Sequence, residues 1–292
     1  MYTRTLIEQI RDLVGMRPIL RNPPVTLGVF NMKGGVGKST ISANLAWKLA
    51  EKGFRVLGVD ADPQGHLTTS LGLEPAEFQV TLMELLIPGR HGESMSVHEV
   101  RQEISMNLHL IPANLSMCQM NLLLFQQPER EYRLRRFLSE IREHTSYDLL
   151  VVDSPPSYDL TSLNILLACD VLLAPVKLDG NSFYGLQYLF ETIHDVERIY
   201  RHTIPRVLIV PNHYNGSFSV SRQILEGLHE HYRAYLSRSV IRQDVNFDKA
   251  NALRQPVFLI APSSRGSKDI ESLTEEIVDL LTLEPVTQIS AA

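Results

Sequence analysis

Cysteine is scarce in this chain: Cys118 and Cys169 are the two among 292 residues. Neither belongs to a Cys-x-x-Cys pair or a zinc-ligand spacing, which argues against a disulfide scaffold or a structural zinc site. Cys169, inside LLACDVLLAPV, reads as a small buried hydrophobe. Long apolar runs are also missing, and none approaches the ~20 residues of a membrane-spanning helix. Positive charge is in deficit: 28 Lys and Arg stand against 33 Asp and Glu, a net −5. Any contact with nucleic acid therefore has to come from a local basic patch. No signal-peptide pattern opens the chain, because Arg4, Glu8, Arg11 and Asp12 interrupt any apolar stretch. The expected location is the cytoplasm.

What is there is an ordinary globular composition, 44% apolar and 21% charged, long enough for a sizeable core. Leu6, Ile10 and Leu13 fall at helical spacing before Gly15, Pro18 and Pro23-Pro24 break the pattern. Residues 1–24 read as an amphipathic helix and linker, 25–283 as the main domain and 284–292 as a tail. The expected strands are VTLGVF, FRVLGVD, LHLIP, YDLLVVD, DVLLAPV, RVLIVPN and PVFLIAP. Helices are expected near 38–52, 130–144, 182–200, 219–233 and 267–282. Several strand runs are apolar without alternation, as in strands covered on both faces. The expected fold class is α/β, a doubly wound, mostly parallel sheet with helices on both faces. Residues 71–106 have the weakest pattern and read as a surface excursion.

The densest chemistry lies in FNMKGGVGKST, Phe30–Thr40. An apolar strand, a glycine loop and a helix in that order build a phosphate site. Amides of the loop and the helix N-terminus, Gly34, Gly35, Val36, Gly37, Lys38, Ser39 and Thr40, face the anion. The three glycines let the backbone approach without a Cβ in the way. Lys38 reaches the β- and γ-phosphates, and the Ser39 hydroxyl ligates Mg²⁺. The strict pattern would put its first glycine at Met32 and fails there; a lysine, Lys33, opens the run instead. Asp60, Asp62 and Asp153 end strand-like runs, on the side of an open sheet where ligands gather. Phosphoryl transfer needs a carboxylate near the metal and a group that places water.

KGGVGKST resembles the deviant Walker A motif of the ParA/MinD group of P-loop ATPases, with ParA partition ATPases the nearest in pattern. The resemblance implies ATP and Mg²⁺ as cofactors, and a homodimer formed on ATP binding. In that dimer Lys33 reaches the partner's phosphates while Lys38 serves its own. DADPQG resembles the group's first switch, with Asp62 placing the attacking water. Asp153 matches the Walker B aspartate, which holds Mg²⁺ with Ser39. Asn212, in IVPNHYN, resembles the residue that reads the adenine edge, and the segment at Pro262 would close over the base.

The same resemblance implies non-specific DNA as a track, a nucleoid-associated location, and a ParB-like or adaptor protein that stimulates hydrolysis. The cargo would be a plasmid, a chromosome or a protein organelle. The sequence departs from the group where DNA-contacting arginines are common: those positions fall on Gln243 and Asn246, and another near Ser217. Arg222, Arg238, Arg242 and Arg254 are the candidate replacements. The run Arg130, Arg133, Arg135 and Arg136 reads better as a solvated helix face paired with Glu129 and Glu131. A MinD-like membrane switch is disfavoured, because the amphipathic segment DIESLTEEIVDLLTLEP is acidic. An iron–sulfur relative would need its two cysteines to bridge a cluster. A non-catalytic ATP-binding adaptor conflicts with intact Lys33, Lys38, Asp62 and Asp153.

Overall fold

The computed structural model describes residues 20, 24–87, 89, 95–204 and 206–282. The expected N-terminal helix and the C-terminal tail lie outside the described residues. In chain order the elements are β1 (Val25–Val29), α1 (Lys38–Glu51), β2 (Val56–Asp60), α2 (His66–Ser70), α3 (Leu82–Leu86) and α4 (Val97–Val100). Then come β3 (Gln102–Ser105), β4 (Leu108–Ile111), α5 (Met120–Phe125), α6 (Arg133–His144), β5 (Leu149–Asp153), α7 (Leu160–Ala168) and β6 (Val171–Lys177). The chain continues through α8 (Ser182–Tyr200), β7 (Val207–Asn212), α9 (Ser219–His231), α10 (Val245–Ala252), α11 (Val257–Ile260) and α12 (Arg265–Thr282). The strands form one sheet in the order β3-β4-β2-β5-β1-β6-β7. All neighbours are parallel except β3, which pairs antiparallel with β4 at the edge.

Both faces of the sheet are covered, which explains the continuous apolar runs. On β5, Leu149 and Val151 join the core beneath α1 and α12, while Leu150 and Val152 join the opposite core with α3 and α6. Helix α1 forms because Ile41, Leu45 and Leu49 recur at i, i+4 and are all buried. It stops where Gly53 takes a left-handed φ of 97°. Burying three such side chains contributes about 1.5–3 kcal/mol each.

Two expectations need correction. PVFLIAP is the short helix α11 rather than a strand: Val257 N donates to Asn44 Oδ1 of α1 at 2.7 Å, capping α1's flank instead of extending the sheet. Residues 71–106 are not merely surface. Thr81 and Glu84 form a reciprocal capping box, and Leu82, Met83 and Leu86 are fully buried in the second core. The polar edge strand β3 and the apolar helix α7 had no sequence expectation at all. The arginine run does behave as a paired surface: Arg130 meets Glu131 at 2.9 Å and Arg136 meets Glu129 at 2.6 Å. Cys169 is buried, and burial pushes its thiol up to about 12.

Candidate functional site

The parallel register brings the chemistry to one end of the sheet. Val29 and Asp60 each lie level with Asp153 across β1-β5 and β2-β5, and Lys177 lies level with Asn212 across β6-β7. The glycine loop leaves β1 at this same end. Gly35 and Gly37 adopt φ of 71° and 90°, where a side chain would be strained. A Cβ on Gly37 would also collide with the Asn212 amide. Gly34 and Gly35 are exposed, Val36 is buried, and Ser39 and Thr40 are half-buried at the start of α1.

Lys38 is buried, and its ammonium reaches back to the Lys33 carbonyl at 3.4 Å. Burial lowers its pKa, against the opposing pull of Asp153 and Asp62. Asp153 is fully buried. Its Oδ1 accepts from the Ser42 hydroxyl at 2.9 Å, while Oδ2 has no hydrogen-bond partner. Burial raises its pKa, with Ser39, Ser42 and Lys38 working against the shift. An orphaned carboxylate oxygen beside a serine hydroxyl suits the coordination shell of Mg²⁺. No group of three or more metal-ligating side chains occurs among the described residues. Asp62, 5% exposed, accepts from the Gln64 amide at 3.0 Å and closes its own turn. Asp60 beneath it accepts from Thr68 N and Oγ1 at 2.8 and 2.7 Å. Burial and then Asp153 push Asp60 up to about 8.

Lys33 is not free. Its Nζ contacts both oxygens of Asp179, at 2.8 and 2.7 Å, in the turn between β6 and α8. The Asp179 carboxyl sits below its ordinary value: partial burial opposes the shift, and Lys33 with the Asn181 amide outweighs it. Neither Asp179 nor Ser42 was singled out from sequence, and neither carries a motif of its own. Asn31 belongs with them: it bridges Pro175 O and Lys33 N at 2.8 and 2.9 Å, fixing the start of the loop.

Asn212 has a task that the resemblance did not imply. Its amide donates to the Val36 carbonyl at 2.7 Å, and its Oδ1 accepts from His213 N at 2.8 Å. His213, also unforeseen, takes a left-handed φ of 54° above the loop. Burial and Lys177 hold its imidazole below the usual value. Pro262 is exposed in the turn before α12. Hydrogen bonds from Tyr214 N to Ile241 O and from Gly266 N to Asp244 tie that turn to the Asn212 loop.

The four candidate DNA-contacting arginines are engaged elsewhere. Arg242 grips Asp269 through Nε and Nη2, Arg238 meets Asp279 at 3.2 Å, and Arg254 meets Glu74 at 2.6 Å. Arg222 donates to the Gly216 carbonyl at 2.5 Å. Phosphate contact would first have to displace these partners.

Comparison with known proteins agrees with this geometry. A family model described as "AAA domain" matches residues 25–205. The cell division protein PomZ of Myxococcus xanthus is 38% identical over 276 residues, covering 92% of this chain and 84% of PomZ. The chromosome partitioning protein ParA of Caulobacter vibrioides is 32% identical, covering 88% and 95%. Among solved structures, cobyrinic acid a,c-diamide synthase from Mycobacterium smegmatis with bound ADP and magnesium superposes with a TM-score of 0.74 at 26% identity, covering 89% of this chain and 99% of that one. No described helix is long and apolar enough to cross a membrane. With its signature lysine, its second loop lysine and the aspartates that end β2 and β5, the chain belongs to the ParA/MinD type of P-loop ATPases.

Proposed function

We propose that the protein is a Mg²⁺-dependent ATPase that dimerises on ATP and uses slow, partner-stimulated hydrolysis as a timer to position a cargo inside the cell. The carrying observation is the convergence of Lys38, Ser39, Asp62 and Asp153 around the glycine loop, with Lys33 held at its rim. In this reading the loop amides and Lys38 hold the phosphates, and Ser39 and Asp153 hold the metal. Mg²⁺, when bound, neutralises charge developing between the β- and γ-phosphates. Asp62 orients the attacking water. Lys33 leaves Asp179 and crosses to the partner's triphosphate, where a cation supplied in trans stabilises the transferring charge. The test uses Asp62→Ala. With ATP and Mg²⁺ it should form dimers and turn over on the order of a hundredfold more slowly, while Lys33→Ala should stay monomeric by light scattering. Normal turnover in Asp62→Ala overturns the water-placing role, and ATP-dependent dimers of Lys33→Ala overturn the crossing lysine.

The cargo follows from relatives alone: PomZ is named for cell division and ParA for chromosome partitioning. DNA as the track fits that company. Its contacts, in this reading, fall to Lys249, Arg265 and Lys268 rather than to the four paired arginines. These three are exposed, without carboxylate partners among the described residues, on α10 and the start of α12. The triple alanine variant should lose ATP-dependent retention on DNA yet keep its basal turnover; undiminished retention moves the track contact elsewhere.

A further inference from the structure

At the end of the sheet away from the glycine loop, the chain entering β2, β4 and β5 and the C-terminal end of α6 enclose a cavity of about 590 Å³. None of its lining belongs to the site described above. The wall is rich in donors, including Arg55, Arg101, His98, His109 and His144, against a single carboxylate, Glu143, among the described lining residues. Arg55 is already balanced by Asp148 at 2.7 Å. Arg101 has no carboxylate partner among the described residues. Its Nη1 donates to the Tyr147 hydroxyl at 2.7 Å, and its guanidinium carbon lies 5.9 Å from the centre of that ring. One of its five N–H groups is thus spent.

With its oxygen accepting from Arg101 and lying 2.8 Å from His109 Nδ1, the tyrosine finds an acceptor for its own proton in the tautomer that leaves Nδ1 bare. Nδ1 is then an acceptor, and a neutral imidazole carries its proton on Nε2. Burial, then Arg101, and also His98 lower the pKa of the ring, against Glu103. The relay Arg101, Tyr147, His109 therefore begins and ends in donors.

We propose that this cavity binds a small free oxyanion of the phosphate type, seated between the Arg101 guanidinium and the His109 Nε2–H. A guanidinium and an imidazole N–H give charge-assisted bonds to such an anion. The site is separate from the nucleotide loop and needs no assumption about what that loop does.

The test is a phosphate titration of the full chain, saturated with ADP and Mg²⁺ so that the glycine loop is filled. Inorganic phosphate is the probe, read by the imidazole nitrogen spectrum of ¹⁵N-histidine-labelled protein. His109 should show the Nε2–H tautomer at the start and shift saturably with phosphate. Arg101→Gln should raise the apparent dissociation constant at least about tenfold. Tyr147→Phe should release the fixed tautomer and weaken binding, and both variants should keep basal ATP turnover. Absence of a saturable shift overturns the proposal, as does an unchanged titration in Arg101→Gln. A shift produced by duplex DNA and not by phosphate overturns it too, by assigning the pocket to a nucleic-acid backbone.

Discussion

Two regions of the molecule set cations against carboxylates and use them in opposite ways. At the glycine loop, Lys33 meets one half-exposed partner, Asp179, through a single ammonium. Across β7 to α12, Arg242 and Arg238 meet Asp269 and Glu276, carboxylates that also accept backbone amides of the same segment. The first pair is exchangeable: both side chains are about one-third exposed, 36% and 34%, and such pairs contribute roughly 0–1 kcal/mol. The second set is built into the fold, because Asp269 and Glu276 satisfy main-chain donors that would otherwise lack partners. Charge alone does not mark a phosphate contact: Asp179 also accepts a main-chain amide, from Asn181 at 3.1 Å, and it is the burial of the partner carboxylate, 34% exposed at Asp179 against 9% at Asp269 and Glu276, that decides whether the cation can leave.

Replacing Lys38 with alanine breaks the loop side of this comparison outright. It removes a buried cation from the one place where the loop closes on an anion, and nucleotide binding should fall by on the order of a hundredfold or more in a calorimetric titration. Arg242→Ala probes the other side. It leaves the buried Asp269 carboxylate with the residue-242 main-chain amide but without its guanidinium, a cost of about 1–3 kcal/mol, so the melting temperature should drop by about 2–4 °C for each kcal/mol lost. Retention on DNA, normalised to folded protein, should not change. A selective loss of retention with an unchanged melting temperature would put Arg242 among the phosphate contacts after all.

The same contrast explains what was legible in the sequence. The loop, Asp62 and Asp153 could be read because each sits at a strand end in a fixed local pattern, and six of seven expected strands lie where their apolar runs placed them. PVFLIAP misled because a four-residue apolar run buries equally well as a helix against α1. The edge strand β3 is polar, so it had no apolar signal to offer. Asp179 and Asn31 were invisible for another reason. Asp179 meets Lys33, and Asn31 meets Pro175 of β6, each across more than 140 residues of chain, and only strand order makes them neighbours.

Asn212 sharpens the comparison within the site itself. Its amide supports the Val36 carbonyl, so Asn212→Ala should weaken ATP, GTP and inorganic tripolyphosphate alike, by about tenfold. A residue that only reads adenine would spare tripolyphosphate and flatten the difference between ATP and GTP. Competition against a fluorescent nucleotide separates the two outcomes.

The smallest effect tests the exchangeable pair. Asp179→Asn keeps the shape of the turn and removes the charge that holds Lys33 in its own subunit. The turn does not rest on that charge alone, since the Ser182 hydroxyl donates to Lys177 O, and Asp179 N donates to Ser182 Oγ at 2.9 Å. Stability should therefore move by less than about 1 kcal/mol. If Lys33 crosses to a partner's triphosphate, its release from Asp179 is part of the cost of dimerising. The variant should then dimerise at an ATP concentration lower by up to about fivefold, as followed by light scattering. A variant that needs more ATP than the parent would mean that Asp179 guides the lysine across rather than holding it back.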